Sequence, residues 1–210
     1  MRQLLLSHAF PRIALGLAIA AGLAGSHLAA SSGAAGPSAA TPTASVTATA
    51  IARTPNTRRP GTPVRQSQLG HRVFVDARHG FALASLGQAQ YPAATQDGGR
   101  TWRIDGPALH LNAAQAPLVV LSVGAASKRT WFAFGGPGGG QAVDVTSDGG
   151  KHWWRAILGE VVLAVVAEED GKLFAVAQGA GGSGGTAVNW VYASSDGGRH
   201  WRYDDRLGAV

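Results

Sequence analysis

Three aspartates stand in one repeated context. The segments are Thr95-Gln96-Asp97-Gly98-Gly99-Arg100-Thr101-Trp102, Thr146-Ser147-Asp148-Gly149-Gly150-Lys151-His152-Trp153 and Ser194-Ser195-Asp196-Gly197-Gly198-Arg199-His200-Trp201. A carboxylate before glycine invites a calcium reading. Calcium takes about six to eight oxygens from alternating positions, and each copy offers one carboxylate. The residue types suit a tight turn instead. Two glycines tolerate positive φ. The Asp carboxylate can accept hydrogen bonds from turn N–H groups, and the Ser or Thr two residues earlier can do the same. The Trp ring can pack against the hairpin. Asp97, Gly99, Trp102, Asp148, Gly150, Trp153, Asp196, Gly198 and Trp201 are therefore expected to be structural, with no metal and no cofactor.

Other chemistry is sparse. Glycoside hydrolysis needs two carboxylates across the scissile bond. The only glutamates are Glu160, Glu168 and Glu169. Glu168-Glu169-Asp170-Gly171 reads as an exposed turn, and Glu160 as the residue before a strand. The glycine-rich runs 135–140 and 179–185 lack the Lys-Ser/Thr pair and the helix of a phosphate loop. His71, His79, His110, His152 and His200 lack metal-ligand spacing, and with no Cys there is no disulfide or thiol nucleophile. No catalytic residue is assigned. Trp131, Trp154 and Trp190 are the tryptophans outside the repeated segment. Trp131 and Phe132 are adjacent in a strand, so they face opposite sides of the sheet. Trp154, next to Trp153, points the other way, and with Trp190 it is the candidate ligand or partner contact.

The three aspartates lie 51 and 48 residues apart, a period that marks one supersecondary unit copied in series. Short β-rich runs bounded by Gly and Asp flank each copy. In the first unit they are 72–76, 81–85, 91–95 and 101–104. In the second they are 117–123, 130–134, 141–147 and 152–157. In the third they are 161–167, 172–176, 189–195 and 200–203. Each unit is expected to be a four-stranded antiparallel meander with the Asp-Gly-Gly turn between strands three and four. The fold class is all-β, and the run 161–166 is expected to line an inner core.

These segments resemble the Asp-box, or bacterial neuraminidase, repeat of sialidase-like β-propellers and several secreted propeller families. The resemblance covers about residues 70–205. Asp97, Asp148 and Asp196 match the motif's Asp, Gly99, Gly150 and Gly198 its Gly, and Trp102, Trp153 and Trp201 its aromatic. His152 and His200 replace the usual Thr. The resemblance implies a structural box away from any active face. Gly80-Phe81-Ala82 followed by the first box is also similar to the photosystem II assembly factor branch, which implies docking on a membrane complex without catalytic residues. An exo-sialidase-like glycosidase would need an arginine cluster, a Tyr–Glu pair and an Asp acid. The family's Phe/Tyr-Arg-Ile-Pro motif is absent, since Pro11-Arg12-Ile13 falls in the leader. Three blades are fewer than the four to eight of closed rings. The array is thus incomplete, part of a longer propeller, or completed by a second copy as a homodimer.

Arg2 and Arg12 precede an apolar run, 13–25, and small residues follow it. That pattern reads as a secretory signal, with an uncleaved membrane anchor over 13–30 as the alternative. Residues 31–63 are rich in Ala, Ser, Thr and Pro and read as a disordered tether. The domain is then 64–210. Five of the chain's 18 Lys and Arg precede residue 64, leaving 13 against 12 acidic side chains, so the folded part carries little net charge. Nucleic-acid binding is not expected. The sequence points to an exported, non-catalytic binding or assembly module of the cell envelope or extracellular space. Its expected partner is a protein or carbohydrate at the cell surface, and membrane contact is confined to the N-terminus.

Overall fold

Alternating apolar residues and paired-glycine turns leave the chain little choice but hairpins, and hairpins are what it forms. The computed structural model describes residues 42–53, 57–87, 89–109, 122–135, 140–159, 161–168, 170–179 and 188–204. Three short strands come first: β1 (Ser45–Thr47), β2 (Thr49–Ala50) and β3 (Pro63–Val64). Three meanders follow. The first comprises β4 (Leu69–Phe74), β5 (Gly80–Leu86), β6 (Ala89–Thr95) and β7 (Trp102–Ile104). The second comprises β8 (Ser122–Ala125), β9 (Trp131–Phe134), β10 (Ala142–Thr146) and β11 (Trp154–Ile157). The third comprises β12 (Val161–Ala167), β13 (Leu173–Gly179), β14 (Val188–Ser194) and β15 (His200–Tyr203).

Each meander gains a fifth strand at its outer edge. Sheet I runs β3-β7-β6-β5-β4, sheet II β2-β11-β10-β9-β8, and sheet III β1-β15-β14-β13-β12, antiparallel throughout. The protein is all-β with three five-stranded blade-like sheets, where four strands per unit are expected from the sequence. The extra strands come from the segment read as a disordered tether. An edge strand needs main-chain donors and acceptors more than large side chains. Val46 pairs with Trp201, Ala50 with Trp154 and Val64 with Trp102. Ala48 and Ile51 donate backbone N–H bonds to the Arg199 and Trp153 carbonyls at 2.8 Å. The leader 1–30, the tether's 31–41 and 54–56, His110, Glu160, Glu169 and most of both glycine-rich runs lie outside the described residues. Among the described residues no helix is long and apolar enough to cross a membrane.

The three sheets share one register. Phe81 pairs with Ala94, Phe132 with Val145 and Phe174 with Ala193, so each Phe takes the same place on β5, β9 or β13. Its face turns toward the next sheet in the chain. Phe81 stacks on Trp131 of sheet II at 4.6 Å. Phe132 joins Leu173, Ala175, Tyr192 and Trp201 of sheet III in the largest apolar cluster. The alanines of β5 and β6, Ala82, Ala84 and Ala93, are fully buried and keep their sheet thin. The strand β12 departs from expectation. Leu163 and Val166 are exposed, 46% and 56%, because β12 is an edge strand paired only with β13 and broken by a bulge between Val162 and Ala164.

Candidate functional site

The Asp-Gly-Gly turns connect β6 to β7, β10 to β11 and β14 to β15. In the first, the Thr95 hydroxyl donates to Asp97 Oδ1 at 2.8 Å and accepts the Gly99 N–H at 3.0 Å. Asp97 accepts the Thr101 N–H at 2.9 Å and the Thr101 hydroxyl at 2.6 Å. The same pattern recurs with Thr146, Asp148 and Gly150, and with Ser194, Asp196 and Gly198. Both histidines take over the role of Thr101. His152 Nδ1 lies 2.6 Å from Asp148 Oδ2, and His200 Nδ1 lies 2.5 Å from Asp196 Oδ2. The glycines after each Asp have positive φ, from 70° to 86°.

These bonds also fix the charge state. The Thr101 hydroxyl and N–H hold the Asp97 carboxyl well below the usual carboxylate range. Burial works against Asp148, yet the His152 N–H and ring hold it down at about 2. Asp196 is lowered against its burial in the same manner by His200. All three carboxylates are thus ionised and occupied by their own turns. Among the described residues no group of three or more His, Asp or Glu is arranged to hold a metal.

Trp102 and Trp201 donate their indole N–H to the Gly99 and Gly198 carbonyls at 3.0 Å. Trp153 does not. Its Nε1 is buried without a hydrogen-bond partner, and the ring stands edge-on to Trp131 at 4.7 Å. A Cβ at Gly106 would meet Trp153 Nε1 at 2.5 Å, so Gly106 is the residue that lets sheet I close over this ring.

The second and third turns also seat on the preceding sheet. Gly150 presses on the Asp105 carbonyl and carboxylate, next to β7. A Cβ on Gly197 would meet Ser147, and one on Gly198 would meet Val145, both of sheet II. Arg199 lies over the Trp154 ring, 5.2 Å from its centroid. Asp105 is pushed up to about 6 by burial, with Arg53 pulling the other way. An ion pair within sheet II, between half-buried Arg155 and buried Asp144, reaches the segment that follows β7. Arg155 donates from Nε and Nη2 to Asp144 at 2.7 and 2.6 Å, and Nη2 also donates to the Leu109 carbonyl. Burial pushes Asp144 up to about 6, while the guanidinium opposes that rise. Outside the core, Lys128 of sheet II reaches Asp76 of sheet I at 2.9 Å, and His79 Nδ1 lies 2.9 Å from the same carboxylate.

Two clefts occupy matching places. On sheet I, a cleft of about 480 Å³ lies between Gly61, Arg78, Gln96, Thr101 and Arg103. On sheet III, one of about 390 Å³ is bounded by Lys172, Phe174, Ala193, Ser195, Arg202 and Asp204. Ala94 and Arg103 pair on sheet I as Ala193 and Arg202 pair on sheet III. The Asp105 and Asp204 N–H groups both donate to the third strand at 2.8 Å, to Pro92 and Val191.

The candidate contact tryptophans are both engaged within the chain. Trp154 is half-buried beneath Arg199. Trp190 is 3% exposed within the core, its ring against Gly179, and the structure gives it no contact surface. Arg103, Arg202 and Phe174 do not stand out by residue type. Their signal lies in the repeat, as the basic residue after Trp102 and Trp201, and as the Phe-Ala pair in all three units.

No protein-family model, no curated protein and no solved structure matches this chain.

Proposed function

We propose that the protein is an exported, non-catalytic binding or assembly module built as an Asp-box, propeller-type array, taking a protein or carbohydrate partner at the cell surface. One observation carries the reading. The repeated carboxylates are consumed by their own turns, while the cleft on sheet I presents guanidinium, amide and hydroxyl groups to the outside. The three turn carboxylates, held below their ordinary pKa by turn donors, are poor proton donors, whereas Asp105, raised to about 6, lines the same cleft as Asp97, so the non-catalytic reading stands or falls with the sialoside assay below. Arg78 and Arg103 are steadied by the Gln96 and Gly61 carbonyls at 3.2 and 3.0 Å, so the cleft wall is ordered before any partner arrives. Asp97 and Asp105 line the same cleft as the two arginines, so the wall suits polar groups that can meet charges of both signs.

The experiment uses the full-length chain on a fluorogenic sialoside and on isolated cell-envelope material. The expected result is no fluorophore release and saturable, salt-sensitive binding that falls at least fivefold in Arg103→Ala. Turnover of the sialoside, or binding indifferent to Arg103, would overturn the reading. Export is tested separately by fusing residues 1–30 to a reporter active only outside the cytoplasm.

A further inference from the structure

Resting on the reading of the sheet I cleft as the contact surface, we propose that this cleft takes a zwitterionic group. The ligand carries an ammonium and a carboxylate together, as an amino acid or a short peptide does. Asp105 receives the ammonium, and Arg78 and Arg103 receive the carboxylate.

Asp105 is the side chain that the fold leaves without a task. Its backbone N–H is used, donating to the Pro92 carbonyl at 2.8 Å. Its carboxyl is half-buried at the cleft wall and accepts no hydrogen bond from any described residue. Burial raises its pKa to about 6, and only the charge of Arg53 opposes that. At neutral pH the carboxyl is therefore mostly ionised, partly desolvated and short of donors, which weakens the fold that carries it. Asp97, the other carboxylate of the cleft, is in the opposite condition, its oxygens taken by Thr95 and Thr101.

The sheet itself does not require the charge. Arg103, Trp154 and Arg202 pair alike with Ala94, Val145 and Ala193, so Asp105 corresponds to Ala156 on sheet II and to Asp204 on sheet III. Ala156 is fully buried in an intact sheet. Asp204 is buried and engaged within the chain. A charged group that costs stability, and that a sister sheet does without, has the character of a functional group.

The cations stand in the same cleft. Arg78 spends Nε on the Gln96 carbonyl at 3.2 Å, and Arg103 spends Nη1 on the Gly61 carbonyl at 3.0 Å. Both side chains are exposed and keep further N–H donors in the fork geometry that matches a carboxylate. A plain anion would serve the arginines but set a second negative charge near Asp105. A neutral hydroxyl would serve Asp105 less well than an ammonium, because a charge-assisted bond is about twice as strong. A ligand with both signs answers both walls. The cleft, about 480 Å³, lies within the size range of small-molecule sites.

The test is a cycle of ligands and variants on the full-length chain, read by ligand-observed NMR titration at neutral pH. Glycine, γ-aminobutyrate and ε-aminocaproate place the ammonium at increasing distance from the carboxylate. Acetate, butyrate and caproate lack the ammonium. At least one amino acid is expected to bind about tenfold or more tightly than its deaminated counterpart, the worth of one charged hydrogen bond. In Asp105→Asn, which keeps the side chain's shape, that advantage is expected to shrink below about twofold, with the deaminated acid bound no less tightly. In Arg103→Ala the amino acid and its counterpart are expected to weaken together, by about fivefold or more. Both variants are first shown to melt cooperatively. Amino acids that bind no better than their counterparts overturn the proposal, as does an ammonium advantage that survives in Asp105→Asn. Envelope binding that still depends on Arg103 would then leave the cleft as the contact surface and remove only the zwitterion.

Discussion

Arg155 and Asp144 face each other across β11 and β10, and they are bound through two guanidinium nitrogens at 2.6 and 2.7 Å inside the junction of sheets I and II. Asp144 is fully buried, and the pair lies at a junction otherwise lined by Trp131, Trp153 and Ala133. Removing one partner leaves a buried charge uncompensated, which costs about 3–5 kcal/mol. Arg155→Leu is expected to lose that much in urea unfolding. It also deprives the Leu109 carbonyl of its donor. Adding Asp144→Val should restore most of the stability. A double variant as weak as the single one would mean that the pair holds the junction by charge rather than merely filling it.

Asp105 gives the protein a pH dependence of the opposite sign to that of its turn aspartates. An ordinary Asp loses its proton near 3.8, whereas burial raises Asp105 to about 6 in the folded chain. The folded state then binds the proton more tightly, so this group's contribution to stability declines as pH rises from about 4 to about 6 and stays low above. Asp105→Asn is expected to stabilise the protein by about 1–3 kcal/mol at pH 7.5 and by almost nothing at pH 4. Asp144 and the turn carboxylates are shared by both proteins and cancel in the difference. Denaturant midpoints of the two proteins across that range are the measurement. A gap that does not change with pH would contradict the assignment.

Two glycines of similar backbone separate strain from crowding. Gly171 has φ 85° with nothing within 4 Å of an added methyl, while a Cβ on Gly198, φ 83°, would meet Val145 at 2.6 Å. Gly171→Ala is expected to cost about 1–2 kcal/mol for the left-handed backbone alone. Gly198→Ala should cost about 1–3 kcal/mol more, because Val145 is fully buried and has little room to yield. Equal losses in thermal unfolding would mean that the turn of sheet III is not seated against sheet II.

Histidine at the seventh position of the last two eight-residue segments takes the part of threonine at that position in the first. Thr101 gives Asp97, and His200 gives Asp196, a backbone N–H and a side-chain contact. His200→Thr is expected to change stability by less than about 0.5 kcal/mol, and His200→Ala to lose about 1 kcal/mol, the worth of one hydrogen bond. Comparing the two by chemical denaturation at pH 7 tests whether the side-chain bond to Asp196 matters.

The turns are legible in the sequence because their residues act within a few positions of each other. Asp97 finds Thr95 and Thr101, and Trp102 finds Gly99, without help from distant chain. The strands β1, β2 and β3 are not legible by the same means. Their partners lie far along the chain, Ser45 against Arg202 for example, and their side chains are mostly exposed and small. What holds them is main chain, which composition does not reveal. Trp190 misleads for a related reason. Its ring fills the space left by Gly179, a contact visible only once β13 and β14 are in register. The clefts depend on which sheet follows which, and Arg103 and Arg202 gain meaning only when the repeats are laid over one another.

The first segment of the chain visits the sheets in reverse, closing III with β1, II with β2 and I with β3. A ribosome makes that segment before any surface it can join. Sheet I can receive β3 once β7 is made, but β1 waits for β15, some 150 residues later by the Ser45–Arg202 pairing. During all that time β1, Ser45–Thr47, is an unclaimed strand beside growing sheets with open edges, the situation in which chains pair wrongly. Completion of the fold is thus timed by the C-terminal end: the earliest-made strand is the last to be placed, and a ribosome-stalled chain lacking β15 leaves β1 with nowhere to go.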